Sequence, residues 1–171
     1  VSARDPGFPE HGHDHGACVR DALGEARARC AESGVRLTAL RARVLEILWQ
    51  SHRPLGAYAI LEVLAGDGRR GAPPTVYRAL EFLCEQGLAH RIASLNAFVG
   101  CAAPGHATPG EFLICASCGA VAEVTDAAVD RAIRRSARAH GFQAARHTLE
   151  ISGRCPNCVS GGEPRILGWT G

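Results

Sequence analysis

Two pairs of cysteines constrain this chain more than anything else in it. Cys115-Ala-Ser-Cys118 and Cys155-Pro-Asn-Cys158 each place two thiols two residues apart. That spacer lets one turn present two sulfurs to a tetrahedral zinc ion, and two such turns complete its coordination with thiolates. A site closed in this way leaves no position for water, so it predicts a structural ion and not a catalytic one. The free energy of binding such an ion is free energy of folding. A thioredoxin-type redox motif would use a single pair at a helix start after a strand. Two pairs, each beside a Gly or Pro, fit zinc better. A disulfide scaffold is the other common use of eight cysteines. It belongs to exported proteins, and the N-terminal stretch lacks the apolar segment of a secretory signal. The expected compartment is the cytoplasm.

A chain of 171 residues, 46% of them hydrophobic, has enough material for one core or two small ones. No apolar run approaches the length of a membrane span. The net charge of +2 says little, but its distribution says more. Between Arg36 and Arg91 eight arginines face five acids, a modest bias toward a polyanionic partner.

Residues 1–16 are polar, His-rich and aperiodic, and read as a disordered tail. Its His11, His13 and His15 fit either weak metal binding or a solvated, tag-like tail. Residues 17–101 read as one domain. Cys18–Ser33 has Val19, Leu23, Ala26 and Cys30 on one helical face and ends at Gly34. Thr38 is placed to cap a second helix running to Gln50, with Leu40, Val44, Ile47 and Leu48 at helical spacing. A third helix is expected over Ala57–Ala65. Pro73 and Pro74 open a fourth that ends near Gly87, with Val76, Ala79, Leu80 and Leu83 inward and Tyr77 and Arg78 off that stripe. Two short strands follow, Ala89–Ala93 and Asn96–Cys101. Three helices, a recognition helix and a hairpin make a winged helix-turn-helix, which lays its later helix in the major groove.

Residues 102–110 form a hinge loop rich in Gly, Pro and Ala. Residues 111–159 read as a second domain. Strands are expected at Glu111–Cys115 and Ala120–Val124 and a helix at Asp126–His140. A half-buried strand is expected over Phe142–Ser152, where Ala145, His147, Leu149 and Ile151 alternate with polar neighbours. Residues 160–171 read as a loose tail. The fold class is α+β, with a small antiparallel sheet in the second domain.

The order of these parts resembles the ferric uptake regulator family, and within it the zinc uptake regulators. The resemblance is carried by Val35-Arg36-Leu37-Thr38 with Arg41, and by Pro73-Pro74-Thr75-Val76-Tyr77-Arg78-Ala79-Leu80. It continues through Glu85-Gln86-Gly87-Leu88-Ala89-His90 and Phe112-Leu113-Ile114-Cys115 to Cys118-Gly119. It ends with Leu149-Glu150-Ile151 and Cys155-Pro156-Asn157-Cys158. It implies a homodimer whose winged-helix domain binds pseudo-palindromic operator DNA when metal-loaded, and whose second domain dimerises. In the zinc branch the genes repressed are those of zinc import. Thr75, Tyr77 and Arg78 match the part of the recognition helix that approaches DNA. Arg36 matches an arginine beside the DNA backbone or minor groove. The chemistry agrees: Arg binds a guanine edge bidentately, and Tyr packs on a thymine methyl or holds a phosphate. Arg41, Arg43, Arg69 and Arg70 read as solvated surface or phosphate contacts.

The resemblance also implies a second, exchangeable zinc ion at the hinge. Its matching ligands are His90, Cys101, Glu123 and His106, with Glu111 as a substitute for His106. His and Cys together favour zinc over iron or manganese, which take harder oxygen ligands. A third site found in some relatives maps to Glu111, Asp130 and His147, with Pro109 where another histidine would stand. His147 fits a core histidine as well. Cys18, Cys30 and Cys84 read as packing residues. Glu62 fills the acidic place of a dimer–dimer salt bridge, but Ala65 replaces its arginine. A zinc enzyme would need an open metal position and a general base, and no H-E-x-x-H motif is present. The rival readings are an iron- or peroxide-responsive regulator of the same fold, and a zinc-buffering protein that binds no DNA.

Overall fold

The computed structural model describes residues 8, 15–50, 53–68, 72–102, 104 and 110–160. The expectations for His106 and Pro109, for Arg69 and Arg70, and for most of the two tails fall outside these residues, but His15 and Gly16 of the first tail and Ser160 of the second are helical, which corrects those tail bounds.

Helix α1 (His15–Glu32) buries Ala22, Ala26 and Cys30, one stripe at four-residue spacing. Helix α2 (Ala39–Trp49) begins where the Thr38 hydroxyl accepts the Arg41 N–H at 3.4 Å. It buries Val44, Leu45, Ile47, Leu48 and Trp49. Helix α3 (Ala57–Gly66) turns Ala57, Ile60 and Leu64 inward. Helix α4 (Pro73–Glu85) has prolines in its first turn, where the missing N–H removes no helical bond. Its inward face is Val76, Ala79, Leu80, Phe82 and Leu83. The four helices share one core, which Leu88, Ala89 and Phe98 of the following segment complete. Leu80 is fully buried there, so Leu80→Ala costs about 2–5 kcal/mol.

Strands β1 (Ala89–Ile92) and β2 (Ala97–Gly100) form an antiparallel hairpin that pairs His90 with Val99 and Ile92 with Ala97. The strands are shorter than expected at the hairpin's tip because Ala93–Leu95 form a 3-10 turn, closed by Asn96 at φ 45°. The hairpin seats so tightly that a Cβ on Gly100 would fall 2.4 Å from the Trp49 indole nitrogen. That close approach, which only glycine permits, sets the position of Cys101.

The second sheet has the order β4-β3-β5. Strand β3 (Glu111–Cys115) pairs antiparallel with β4 (Val121–Val124) and parallel with β5 (Leu149–Gly153). The sheet is therefore mixed, which corrects the expectation of an antiparallel one. Strand β4 ends opposite Glu111 and β5 begins opposite it. The chain between them leaves and returns at one end of the sheet, passing the end of β3, so β5 runs antiparallel to β4 and hence parallel to β3. The crossover contains helix α5 (Ala127–Ala139), capped by the Asp126 carboxylate, which accepts the Ala128 N–H at 2.7 Å.

The strand expected over Phe142–Ser152 is confined to Leu149–Gly153. Leu149 already pairs with the first residue of β3, so residues 142–148 run past its end and have no strand to join. Phe142 is 65% exposed and Ile151 47% exposed. Helix α5 likewise has no buried residue, although Val129, Ile133 and Ala137 share a half-buried stripe. A short helix α6 (Pro156–Ser160), not expected from the sequence, follows Cys155. A separate apolar cluster of Ile92, Phe112 and Ile114 joins the hairpin to the second sheet. Among the described residues no helix is long and apolar enough to cross a membrane.

Candidate metal centres

Cys115 is the last residue of β3 and Cys118 ends the turn toward β4. Gly119 leaves that turn at φ 74°, and its N–H donates to the Cys115 carbonyl at 2.8 Å. Cys155 follows β5 and Cys158 lies in α6. Parallel pairing of β3 with β5, continued to Cys115 opposite Gly153, brings the two cysteine turns together. All four sulfurs lie within 4.8 Å of one another. Cys118 Sγ and Cys155 Sγ are 3.8 Å apart. A tetrahedron of zinc–sulfur bonds has edges of about 3.8 Å, whereas a disulfide brings two sulfurs to about 2 Å. The spacing suits an ion.

The electrostatics are those of a thiolate nest. The Cys155 N–H donates to Cys115 Sγ at 3.3 Å. Burial pushes the Cys115 thiol up, but the N–H groups of Cys155, Cys118 and Ser117 outweigh it and bring its pKa down to about 6. Cys158 is pushed up to about 12, chiefly because its hydrogen bond to Cys155 favours the protonated form. Crowded sulfurs retain protons when no cation balances them, and a divalent ion displaces those protons.

The second cluster draws on three strands' ends and faces. His90 lies in β1, Cys101 directly follows β2, and Glu123 lies in β4. His90 pairs with Val99, so Cys101, two residues on, is its diagonal neighbour on the same face of the hairpin. Their ligand atoms and a Glu123 oxygen all lie within 4.8 Å of one another. The Phe112 ring backs the imidazole, with centroids 5.2 Å apart.

His90 Nε2 lies 3.0 Å from Glu123 Oε1. It is nevertheless buried without a hydrogen bond. The distance makes this an ion pair when His90 is protonated, but the ring is not oriented for a hydrogen bond, which is directional. A buried nitrogen left unpaired is costly. With His90 neutral and its Nε2 unprotonated, nitrogen and oxygen at this range fit a common cation, whose nitrogen and oxygen ligands stand about 3.3 Å apart around zinc. The other Glu123 oxygen accepts the Ala102 N–H at 3.2 Å. Burial pushes the Glu123 carboxyl up, but His90 and the Ala102 amide outweigh it and hold its pKa below the ordinary value.

Not every expected ligand joins a cluster. His106 lies outside the described residues. Glu111, its substitute, is 4% exposed and accepts the Asp126 N–H at 3.2 Å, apart from the hinge group. Of the third set, Asp130 Oδ1 is 3.8 Å from His147 Nδ1 but only 2.9 Å from Arg134 Nε. Among the described residues no third group of three gathers within 4.8 Å. Both ring nitrogens of His147 are buried without a hydrogen bond, so it is not a satisfied core histidine.

Residues 32–152 match the family model described as the ferric uptake regulator family. The chain belongs to that family. It is 36% identical over 144 residues to the zinc uptake regulation protein of Escherichia coli (strain K12), a match covering 82% of this chain and 83% of that protein. A crystal structure of holo XcZur is similar with a TM-score of 0.75 and 38% identity, over 82% of this chain and 98% of that one. A zinc uptake regulator complexed with zinc and DNA is similar with a TM-score of 0.79 and 34% identity, over 83% and 95%.

In this winged-helix fold the β1–β2 hairpin is the wing and α4 is the helix that precedes it. Thr75, Tyr77 and Arg78 are exposed on α4, and Arg36 is exposed just before α2. Tyr77 is 44% exposed, which rules out a role as a core aromatic. Two of the arginines expected as solvated surface or phosphate contacts are braces. The Arg41 guanidinium lies 3.5 Å over the Phe82 ring of α4 and donates to the Arg36 carbonyl at 2.6 Å. Arg43 is locked to Asp67 at 2.7 Å and to Glu46 at 3.0 Å. Arg29 of α1 donates to the Gln86 carbonyl at the end of α4 at 2.8 Å. Nothing in the sequence signals a guanidinium stacked between helices, because tertiary placement alone creates it.

Proposed function

We propose that this chain is a zinc-responsive transcriptional repressor that binds operator DNA as a homodimer when zinc-loaded and controls zinc-uptake genes. The observation that carries the reading is the convergence of His90, Cys101 and Glu123 between wing and second sheet, with a buried imidazole nitrogen that has no hydrogen bond. Relatives named zinc uptake regulation proteins, and a zinc uptake regulator solved with zinc and DNA, support the same reading.

The roles divide by position. Cys115, Cys118, Cys155 and Cys158 hold a structural zinc ion and tie β5 to β3. His90, Cys101 and Glu123, with His106 as the fourth ligand, hold the regulatory one. Zinc, when bound, supplies a fixed positive charge shared by ligands of both halves. The Cys101 thiolate tilts the choice toward zinc and away from iron or manganese. Glu111, Asp130 and His147 are the candidates for a third site. Residues 17–101 act as the DNA-reading domain, 102–110 as the hinge and 111–159 as the dimerisation domain.

With wing and sheet joined, the two recognition helices of a dimer are held at one spacing, about one helical turn of DNA apart. Thr75, Tyr77 and Arg78 then meet the major groove, and Arg36 meets the backbone. The half-buried stripe of α5 and the exposed Phe142 and Ile151 support a dimer, since a second copy would cover such apolar surface. The chain works in the cytoplasm and catalyses no reaction.

The test is a mobility-shift titration against promoter DNA of zinc-import genes at physiological salt. Zinc should induce specific binding at concentrations where iron and manganese do not. Equal or better induction by iron would replace this reading with an iron sensor, and no specific binding with any metal would favour zinc buffering.

A further inference from the structure

One carboxylate that contacts the wing belongs to neither metal centre. Glu150 on β5 pairs with Phe112, and Phe112 pairs on its other side with Glu123. Directly opposed strand residues point to the same face. Glu123, Phe112 and Glu150 therefore form one row across the sheet, and both carboxylates of that row reach the wing. Glu123 meets His90 and the Ala102 N–H at the wing's base. Glu150 accepts the Ala93 N–H at 2.7 Å and the Ser94 N–H at 3.1 Å, at the wing's tip. These amides open the 3-10 turn, where a helical turn has no acceptor of its own for them. Between the two carboxylates, Ile92 of the wing packs with Phe112 and Ile114. The wing is thus held to the second sheet at both ends, and only one end is a metal site.

We propose that Glu150 is a positioning residue of the zinc sensor: it holds the tip of the wing against the sheet so that His90 and Cys101 stand opposite Glu123 before the ion binds. The proposal rests on the reading of His90, Cys101 and Glu123 as the regulatory zinc site. A hairpin held only at its base pivots there, and its ligands must be ordered when zinc arrives. Held at its tip as well, it presents ligands already ordered, and preorganisation appears as affinity. Wing docking and zinc binding are then coupled reciprocally. Glutamate suits the task because both of its oxygens accept. Glutamine would keep one acceptor and turn an NH2 group toward the second amide.

The test compares the full chain with Glu150→Ala and Glu150→Gln. The four-cysteine site is filled first, and further zinc is titrated against a competing chelator. Hydrogen exchange at Ala93 and Ser94 is followed in the same samples. The second equivalent should bind roughly tenfold more weakly in Glu150→Ala, as expected for losing hydrogen bonds to a charged acceptor. Glu150→Gln should fall between, with the first equivalent and the oligomeric state unchanged. Wild-type affinity for the second equivalent in Glu150→Ala would overturn the proposal. So would faster exchange at the wing tip with unchanged zinc affinity, because that marks a turn-stabilising role alone. His90→Ala separates two kinds of failure. If it abolishes the second equivalent, the sensor site stands and only the role of Glu150 falls; if it does not, the reading of the site falls as well.

Discussion

The two clusters of metal-ligating side chains differ in what assembles them. Cys115, Cys118, Cys155 and Cys158 are gathered by strand pairing within one sheet, where β3 and β5 run parallel as far as Cys115 opposite Gly153. His90 and Cys101 come from the wing and Glu123 from the second sheet. The first set is in place whenever that sheet is formed. The second is in place only when wing and sheet are docked. An ion in the first set adds stability to one unit. An ion in the second biases the relation between two units, which is what a sensor requires.

The sharpest way to break this contrast is to remove one ligand from each cluster. Cys118→Ala should have the largest effect, because structural zinc in small sites contributes on the order of 10 kcal/mol. The variant should lose zinc and fail to form a native dimer in sedimentation, and a stable zinc-free dimer would dissolve the distinction. Cys101→Ala should leave secondary structure and dimer intact. Its operator affinity should stop responding to zinc, with the second equivalent weakened by more than about 100-fold, since even partners of ligands cost 10- to 100-fold. Circular dichroism and mobility shifts on one preparation check both statements. A smaller effect should follow from Arg41→Ala, which leaves both clusters untouched and frees Phe82 and the Arg36 carbonyl. Operator binding should weaken by about 0.5–2 kcal/mol with zinc stoichiometry unchanged. If operator affinity does not move, the brace does not set the attitude of α4.

Much of what positions the clusters is legible along the chain. Thr38, Pro73 and Pro74 mark helix starts through local chemistry, and the apolar spacing of α4 leaves Tyr77 and Arg78 outside the core. The C-x-x-C pairs announce their own partners because four thiols suit one ion. What the sequence leaves hidden depends on contacts between distant segments. The alternation over Phe142–Ser152 reports a surface that a single chain leaves exposed, so it overstates the strand. The direction of β5 follows from where the crossover returns, which no local pattern encodes. Arg41 and Glu150 resemble ordinary charged residues until their partners, 41 and 57 positions away, are in place. The hinge ligands lie between these extremes: family resemblance points to His90, Cys101 and Glu123, which meet in space, while His106 lies outside the described residues.

The two proposed zinc sites divide the work between an ion that builds and an ion that reports. Operator affinity measured against zinc added stepwise to metal-free dimer, with bound zinc counted at each step, addresses it directly. At one zinc per subunit the protein should be folded, dimeric and unable to bind its operator specifically, and specific binding should rise with the second equivalent. Full operator binding at one zinc per subunit, unchanged by the second, would contradict it.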